Sequence, residues 1–136
     1  MYNEFLTTQL PVLLEDVPLD RRCTMWFQHD GCPAHNPRIN REHLDITFLG
    51  RWIGRGGPIH WPARSPDLTP LDYYLWGHLK EQVYRTEPTT REDMWERILQ
   101  ACANIPREQI VATTQSLTTR MQLCVDQNGQ HFEHLL

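Results

Sequence analysis

The chain has 136 residues, 40% hydrophobic and 22% charged, which excludes a mainly disordered polypeptide and suits one globular domain. Its net charge of −4 argues against general coating of nucleic acid, yet residues 21–64 hold seven arginines (Arg21, Arg22, Arg38, Arg41, Arg51, Arg55 and Arg64) against three acids. No run approaches the roughly 18 apolar residues of a membrane span, and the acidic N-terminus lacks the basic-then-apolar shape of a secretory signal, so an intracellular chain with no membrane partner is expected.

In chain order, Asn3 to Glu15 reads as a helix interrupted by Pro11, with Phe5, Leu6, Leu10, Leu13 and Leu14 near helical spacing. A turn at 17–20 leads to Cys23–His29, a short aromatic run read as a buried strand that ends at the Asp30-Gly31 turn signal. From Arg38 to about Phe48 a helix fits, with Ile39, His43, Leu44 and Ile46 sharing a face. Residues 50–57 read as a glycine-rich loop carrying Arg51, Trp52 and Arg55, and Ile59–Trp61 as a second, very short strand. Pro70 to about Tyr84 reads as a helix capped by Thr69, with Leu71, Tyr74, Leu75, His78 and Leu79 at helical spacing. A helix over Thr90–Asn104 should bury Met94, Trp95, Ile98, Leu99 and Cys102. Another opens at Pro106, carries a stripe of Ile110, Thr114, Leu117, Met121 and Val125, and ends at Asn128-Gly129.

Two acids stand out by position: Asp30 at a strand end and Asp72 in the first turn of a helix. Carboxylates so placed can share divalent metal ions, which take hard oxygen ligands and polarise water or a hydroxyl for attack on a phosphodiester. The plain structural roles are also open, since Thr69-x-x-Asp72 is close to a capping box and Asp30-Gly31 is an ordinary turn. Arginine outnumbers lysine twelve to one, and its planar fork suits bidentate phosphate contact. Arg38, Arg41, Arg51, Arg55 and Arg64, with Trp52 interleaved, are the candidate nucleic-acid contacts. Four cysteines without a CxxC pair imply reduced thiols.

The wording around the two acids is more specific than their placement. Gln28-His29-Asp30-Gly31-Cys32-Pro33-Ala34-His35 resembles the second-aspartate motif of mariner-like transposases. The stretch from Trp61 to Trp76, with Ser65-Pro66-Asp67-Leu68-Thr69-Pro70-Leu71-Asp72 at its centre, resembles their third-carboxylate motif. The resemblance covers roughly residues 5–100. It implies an α/β architecture, the C-terminal portion of an RNase H-like fold with two short parallel strands and flanking helices. It casts Asp30 and Asp72 as catalytic and metal-binding, His35 as the histidine beside the second aspartate, and Asp67 as structural. Magnesium or manganese is the implied cofactor, DNA the implied partner, the nucleus the implied location, and a homodimer an expected assembly. The family's first acid lies on an upstream first strand, and no strand ending in Asp is legible before Asp30; the expectation is therefore of a partial catalytic domain that lacks its N-terminal strands, binds nucleic acid and does not cleave DNA alone. Within it, residues 1–88 would form the RNase H-like part and 89–136 a helical tail.

Two other readings use the same residues. His29, Cys32 and His35, with His43 as a fourth ligand, could make a small zinc-binding module. The apolar stripes of residues 90–125 could instead serve a non-catalytic helical interaction protein.

Overall fold

Prolines set most of the helix starts. In the computed structural model, which describes residues 1–62 and 65–136, Pro18, Pro37 and Pro106 stand in extended backbone immediately before α3 (Leu19–Thr24), α4 (Arg38–Thr47) and α7 (Arg107–Asp126). A ring that fixes φ and lacks an N–H costs nothing where the first helical donors have no partner anyway. The expected break at Pro11 does not occur. The helical run passes from α1 (Tyr2–Glu4) through a π turn, Phe5–Gln9, into α2 (Leu10–Leu13), with Pro11 in the first turn of α2. The wider π turn lets the chain absorb a residue that an uninterrupted α-ladder would reject.

The chain divides into two compact units, Met1–Arg64 and Ser65–Leu136. Residue 88 falls between α5 (Trp76–Val83) and α6 (Arg91–Ala103), which pack on each other within the second unit through Leu79, Val83 and Ala101.

The first unit is built on a β-α-β crossover. Strand β1 (Phe27–Gln28) pairs in parallel with β2 (Trp52–Ile53), Phe27 opposite Trp52 and Gln28 opposite Ile53, and α4 connects them. Two sequence expectations need correction here. The strand expected at Cys23–His29 is helical at its start, because the turn opened by Pro18 runs on to Thr24, and Arg51 then donates to the Met25 carbonyl at 2.7 Å. The loop expected at 50–57 contains β2, whereas Ile59 makes only an isolated bridge to Ile53. Leu6, Leu44, Phe48 and Trp52 form the core, with Tyr2, Phe5, Leu10, Leu14, Met25 and Phe27 packed around it. On α4 the buried face is Asn40 and Leu44, while Ile39 and Ile46 point to solvent.

The second unit is helical. A 3-10 turn, Pro66–Leu68, buries Leu68, and the Thr69 carbonyl then accepts from the Asp72 and Tyr73 amides as the chain enters a π turn, Leu71–Leu75, continuous with α5. Thr90 caps α6, accepting from the Asp93 amide at 3.0 Å. The Asp93 carboxylate accepts from the Thr89 amide and from Arg97, which in turn donates to the carbonyls of Val83, at the end of α5, and of Thr86 just beyond it. α7 closes in a Schellman turn: Gly129 donates to Cys124, Asn128 donates to Val125, and both residues have positive φ. The expected apolar faces are rotated. Met94 and Ile98 pack inward, but Trp95, Leu99, Ile110, Met121 and Val125 are exposed, as is Cys102. Among the described residues no helix is long and apolar enough to cross a membrane.

Candidate functional site

Side chains alternate along a strand, so Phe27 and His29 enter the core of the first unit together. Phe27 stacks on Phe48 at 5.1 Å, and His29 meets the edge of Trp52 at 5.5 Å. Asp30, the first residue beyond this pair, is half exposed, its side chain retaining 48% of its accessibility. Its Oδ1 accepts from the Cys32 amide at 3.0 Å, an Asx turn, and lies 2.7 Å from His35 Nδ1 without hydrogen-bond alignment. Pro33 starts the 3-10 turn Pro33–His35, and the buried Asn40 of α4 reaches back to donate to the Ala34 and His35 carbonyls at 3.2 and 3.4 Å. Asp30 and His35 are therefore brought together and held from two sides.

His29 does something else. Tyr2 Oη lies 2.9 Å from its Nδ1, His35 stacks on it at 5.2 Å, and its Cδ2 and Nε2 occupy the space beside Gly54. A Cβ on Gly54 would come within 2.2 Å of the imidazole, which is why glycine stands there. Burial, reinforced by the nearby His35, pushes the His29 pKa down to about 4, against a smaller opposing pull from Asp30. Burial and the Asp30 charge push the Tyr2 phenol up to about 12, so it keeps its proton and can donate to a neutral imidazole. The zinc quartet expected from sequence is thereby corrected: His29 is a packed core histidine, and His43 spends its Nε2 on Thr47 at 3.3 Å. The ligand atoms that do converge, all within 4.8 Å of one another, belong to Asp30, Cys32 and His35.

In the second unit Asp72 occupies the first turn of the helical run ending in α5, where a carboxylate complements the helix dipole. Its neighbour Tyr73 locks that turn: the phenol donates to the Thr113 carbonyl of α7 at 2.7 Å, and the Arg120 guanidinium lies 3.9 Å from its ring centre. Arg120 also donates to the Asp67 carbonyl at 3.0 Å, which gives Asp67 a structural role through its backbone. Both carboxylates are hard oxygen donors, each fixed by its own unit, and match the chemistry magnesium and manganese require.

The candidate nucleic-acid contacts separate. Arg38 and Arg55 are exposed, Arg38 in a solvent-exposed pair with Glu42 at 3.2 Å. Arg51 points inward to the Met25 and Arg22 carbonyls, and the Arg41 side chain lies over Gly56. Trp52 is fully buried with its Nε1–H donating to Asp45 at 2.9 Å, so it is a core residue rather than a stacking platform; its aromatic surface is worth more inside than on nucleic acid. Arg64 lies outside the described residues. Tyr2 and Gly54, which pack on His29, are not legible as site residues in the sequence because their partner is more than twenty residues away, and Asn40, whose carbonyl partners are five and six residues back, is marked only as a polar residue on a buried helix face.

Comparison with known proteins bears on this arrangement. The chain is 32% identical over 98 residues to the Tc3 transposase of Caenorhabditis elegans, a match covering 70% of this chain and 27% of that protein. It is 28% identical over 127 residues to the Tc1 transposase of the same organism, covering 93% of this chain and 42% of the relative. The chain belongs to the Tc/mariner transposase family. Its RNase H-like fold matches the Mos1 transposase catalytic domain, solved with raltegravir and manganese, at a TM-score of 0.81 and 24% identity, over 97% of this chain and 64% of that one; the magnesium form matches equally. No family model matches the chain. The family member described here thus spans well under half the length of its curated relatives.

Proposed function

We propose that this chain carries a DNA-binding surface and two of the metal-binding carboxylates, Asp30 and Asp72, of a transposase catalytic domain, and that the 136-residue chain binds DNA without cleaving it. The observation that carries the reading is the charge of residues 21–64, seven arginines against three acids, with Arg38 and Arg55 exposed. The Arg38–Glu42 pair is no obstacle, because an exposed ion pair is worth little and yields to a phosphate. Magnesium or manganese held by Asp30 or by Asp72 would supply Lewis-acid polarisation of an attacking oxygen. Strand cleavage is not expected of this chain alone, since everything before β1 is helical or irregular and offers no first acid at a strand end. A nuclear location follows from a DNA substrate. The test is binding of duplex DNA followed by fluorescence anisotropy over a range of salt, alongside plasmid nicking with magnesium or manganese. Affinity should fall steeply with salt, and Arg38→Ala with Arg55→Ala should flatten the log–log slope by about 0.9 for each phosphate contact removed. A salt-independent affinity would refute the binding surface, and nicking abolished by Asp30→Ala and Asp72→Ala would refute the lack of cleavage.

One observation favours a second reading, the helical interaction protein: Trp95 and Leu99 of α6 and Ile110, Met121 and Val125 of α7 are exposed. A second copy of the chain is the partner this reading names. Sedimentation of the full chain should then show a concentration-dependent dimer that Trp95→Lys dissociates, and a monomer at all concentrations would sink it.

A further inference from the structure

Magnesium takes oxygen donors and keeps several waters, whereas a thiolate and an imidazole beside a carboxylate make a set that borderline-soft metals prefer. We propose that Asp30, Cys32 and His35 form a binding site for a thiophilic divalent cation of the zinc class. Their ligand atoms all lie within 4.8 Å of one another. Around a four-coordinate zinc such atoms stand about 3.3–3.8 Å apart, so closure needs the 2.7 Å Asp30–His35 contact to open and the sulfur to move inward by no more than about 1 Å. Both are side-chain adjustments. The backbone is already set by the Asx turn from Asp30 to the Cys32 amide, by the 3-10 turn Pro33–His35 and by the two bonds from Asn40. The Tyr2 ring lies against the His35 ring at 4.2 Å between centroids, tilted by 37°, and restricts its rotation.

The site is also accessible. The His35 and Asp30 side chains keep 25% and 48% of their exposure, which leaves an entry path and room for water as the fourth ligand. On binding, the Cys32 thiol loses its proton to solvent as the metal–sulfur bond forms. His35 donates the Nδ1 lone pair and carries its proton on Nε2, and Asp30 donates one carboxylate oxygen. His29 is not among the converging ligands: it is buried, and its Nδ1 lies 2.9 Å from Tyr2 Oη. Binding itself is independent of the transposase reading. Its consequence rests on that reading: a zinc ion held here occupies the carboxylate that magnesium or manganese would use.

Cobalt(II) reports the site on the reduced full-length chain, because a cysteine ligand gives a thiolate-to-cobalt charge-transfer band. The expected result is one cobalt per chain, displaced by equimolar zinc and retained in a large excess of magnesium. Cys32→Ser should abolish the band, and Cys124→Ser should leave it. His35→Gln, which keeps the thiol, should retain the band with affinity weakened about 100-fold, at least the cost of losing an outer-sphere partner. Should Cys32→Ser fail to fold by circular dichroism, the His35→Gln titration decides. Absence of a saturable band, a band surviving in folded Cys32→Ser, displacement by magnesium, or undiminished affinity in His35→Gln would each overturn the proposal. Loss of DNA binding with the band intact would count against the transposase reading alone.

Discussion

The first unit gathers Leu6, Leu44, Phe48 and Trp52 into one buried cluster, while the cluster between α5 and α6 in the second unit holds only Leu79, Val83 and Ala101. The second unit, which buries Leu68 and Phe132 apart from that cluster, adds polar ties: Arg97 to the end of α5, Tyr73 to α7, and Arg120 to Asp67 and Glu133. The difference shows in the ionisable groups. A dry aromatic core forces the imidazole it encloses toward neutrality, as at His29, whereas a solvated network stabilises charge, as at Asp93, whose pKa is lowered by its bond to Arg97 and then by the Thr89 amide.

The contrast breaks most visibly at Trp52. Trp52→Ala removes the largest fully buried side chain and leaves Asp45 without its donor, so it should cost about 3–5 kcal/mol, read as loss of amide-exchange protection confined to residues 1–64. Equal loss of protection in α5–α7 would show that the units do not stand apart energetically.

Acid should separate them next. The pKa of His29 is near 4 folded and near 6.5 unfolded, so between those values the unfolded chain binds the extra proton and the first unit loses stability as pH falls. Above about 6.5 the group contributes no pH dependence. Replacing His29 by Gln should flatten this window in protection of Leu44 and Phe48. Asp93 acts lower: its folded pKa lies below 3.8, so its contribution is present above that value and is lost as pH falls through the folded pKa. A first unit as resistant as the second between pH 6.5 and 4 would contradict the burial argument.

The smallest effect tests a single cap. Thr90→Ala removes the acceptor for the Asp93 amide at the start of α6 and should cost about 1 kcal/mol, seen as a lower urea midpoint for the second unit with an unchanged slope. Thr90→Asn should restore most of it.

Local chemistry made much of this legible from sequence. Thr90, Pro106 and Asn128-Gly129 marked helix ends because caps act within one turn, and the two carboxylate motifs were readable because each is contiguous. Strand and face assignments were less so. The run Cys23–His29 had the composition of a strand, but a helix begun at Pro18 consumed its first residues; the apolar stripe of α7 was real, yet the face turned inward carries Thr113, Ser116 and Arg120, which meet Tyr73 and Asp67 far along the chain. Periodicity says that a face exists without saying whether a neighbour covers it.

The sequence by itself determined which residues could bind a metal or a phosphate and which family the chain resembles, since these depend on side-chain identity and short-range order. Only the tertiary structure decided which of them are available. It buried Trp52, turned Arg51 inward, closed His29 behind Tyr2 and Gly54, and set Cys32 and His35 beside Asp30. Availability is a matter of what else packs against a side chain, and at His29 and Arg51 that neighbour is more than twenty residues away.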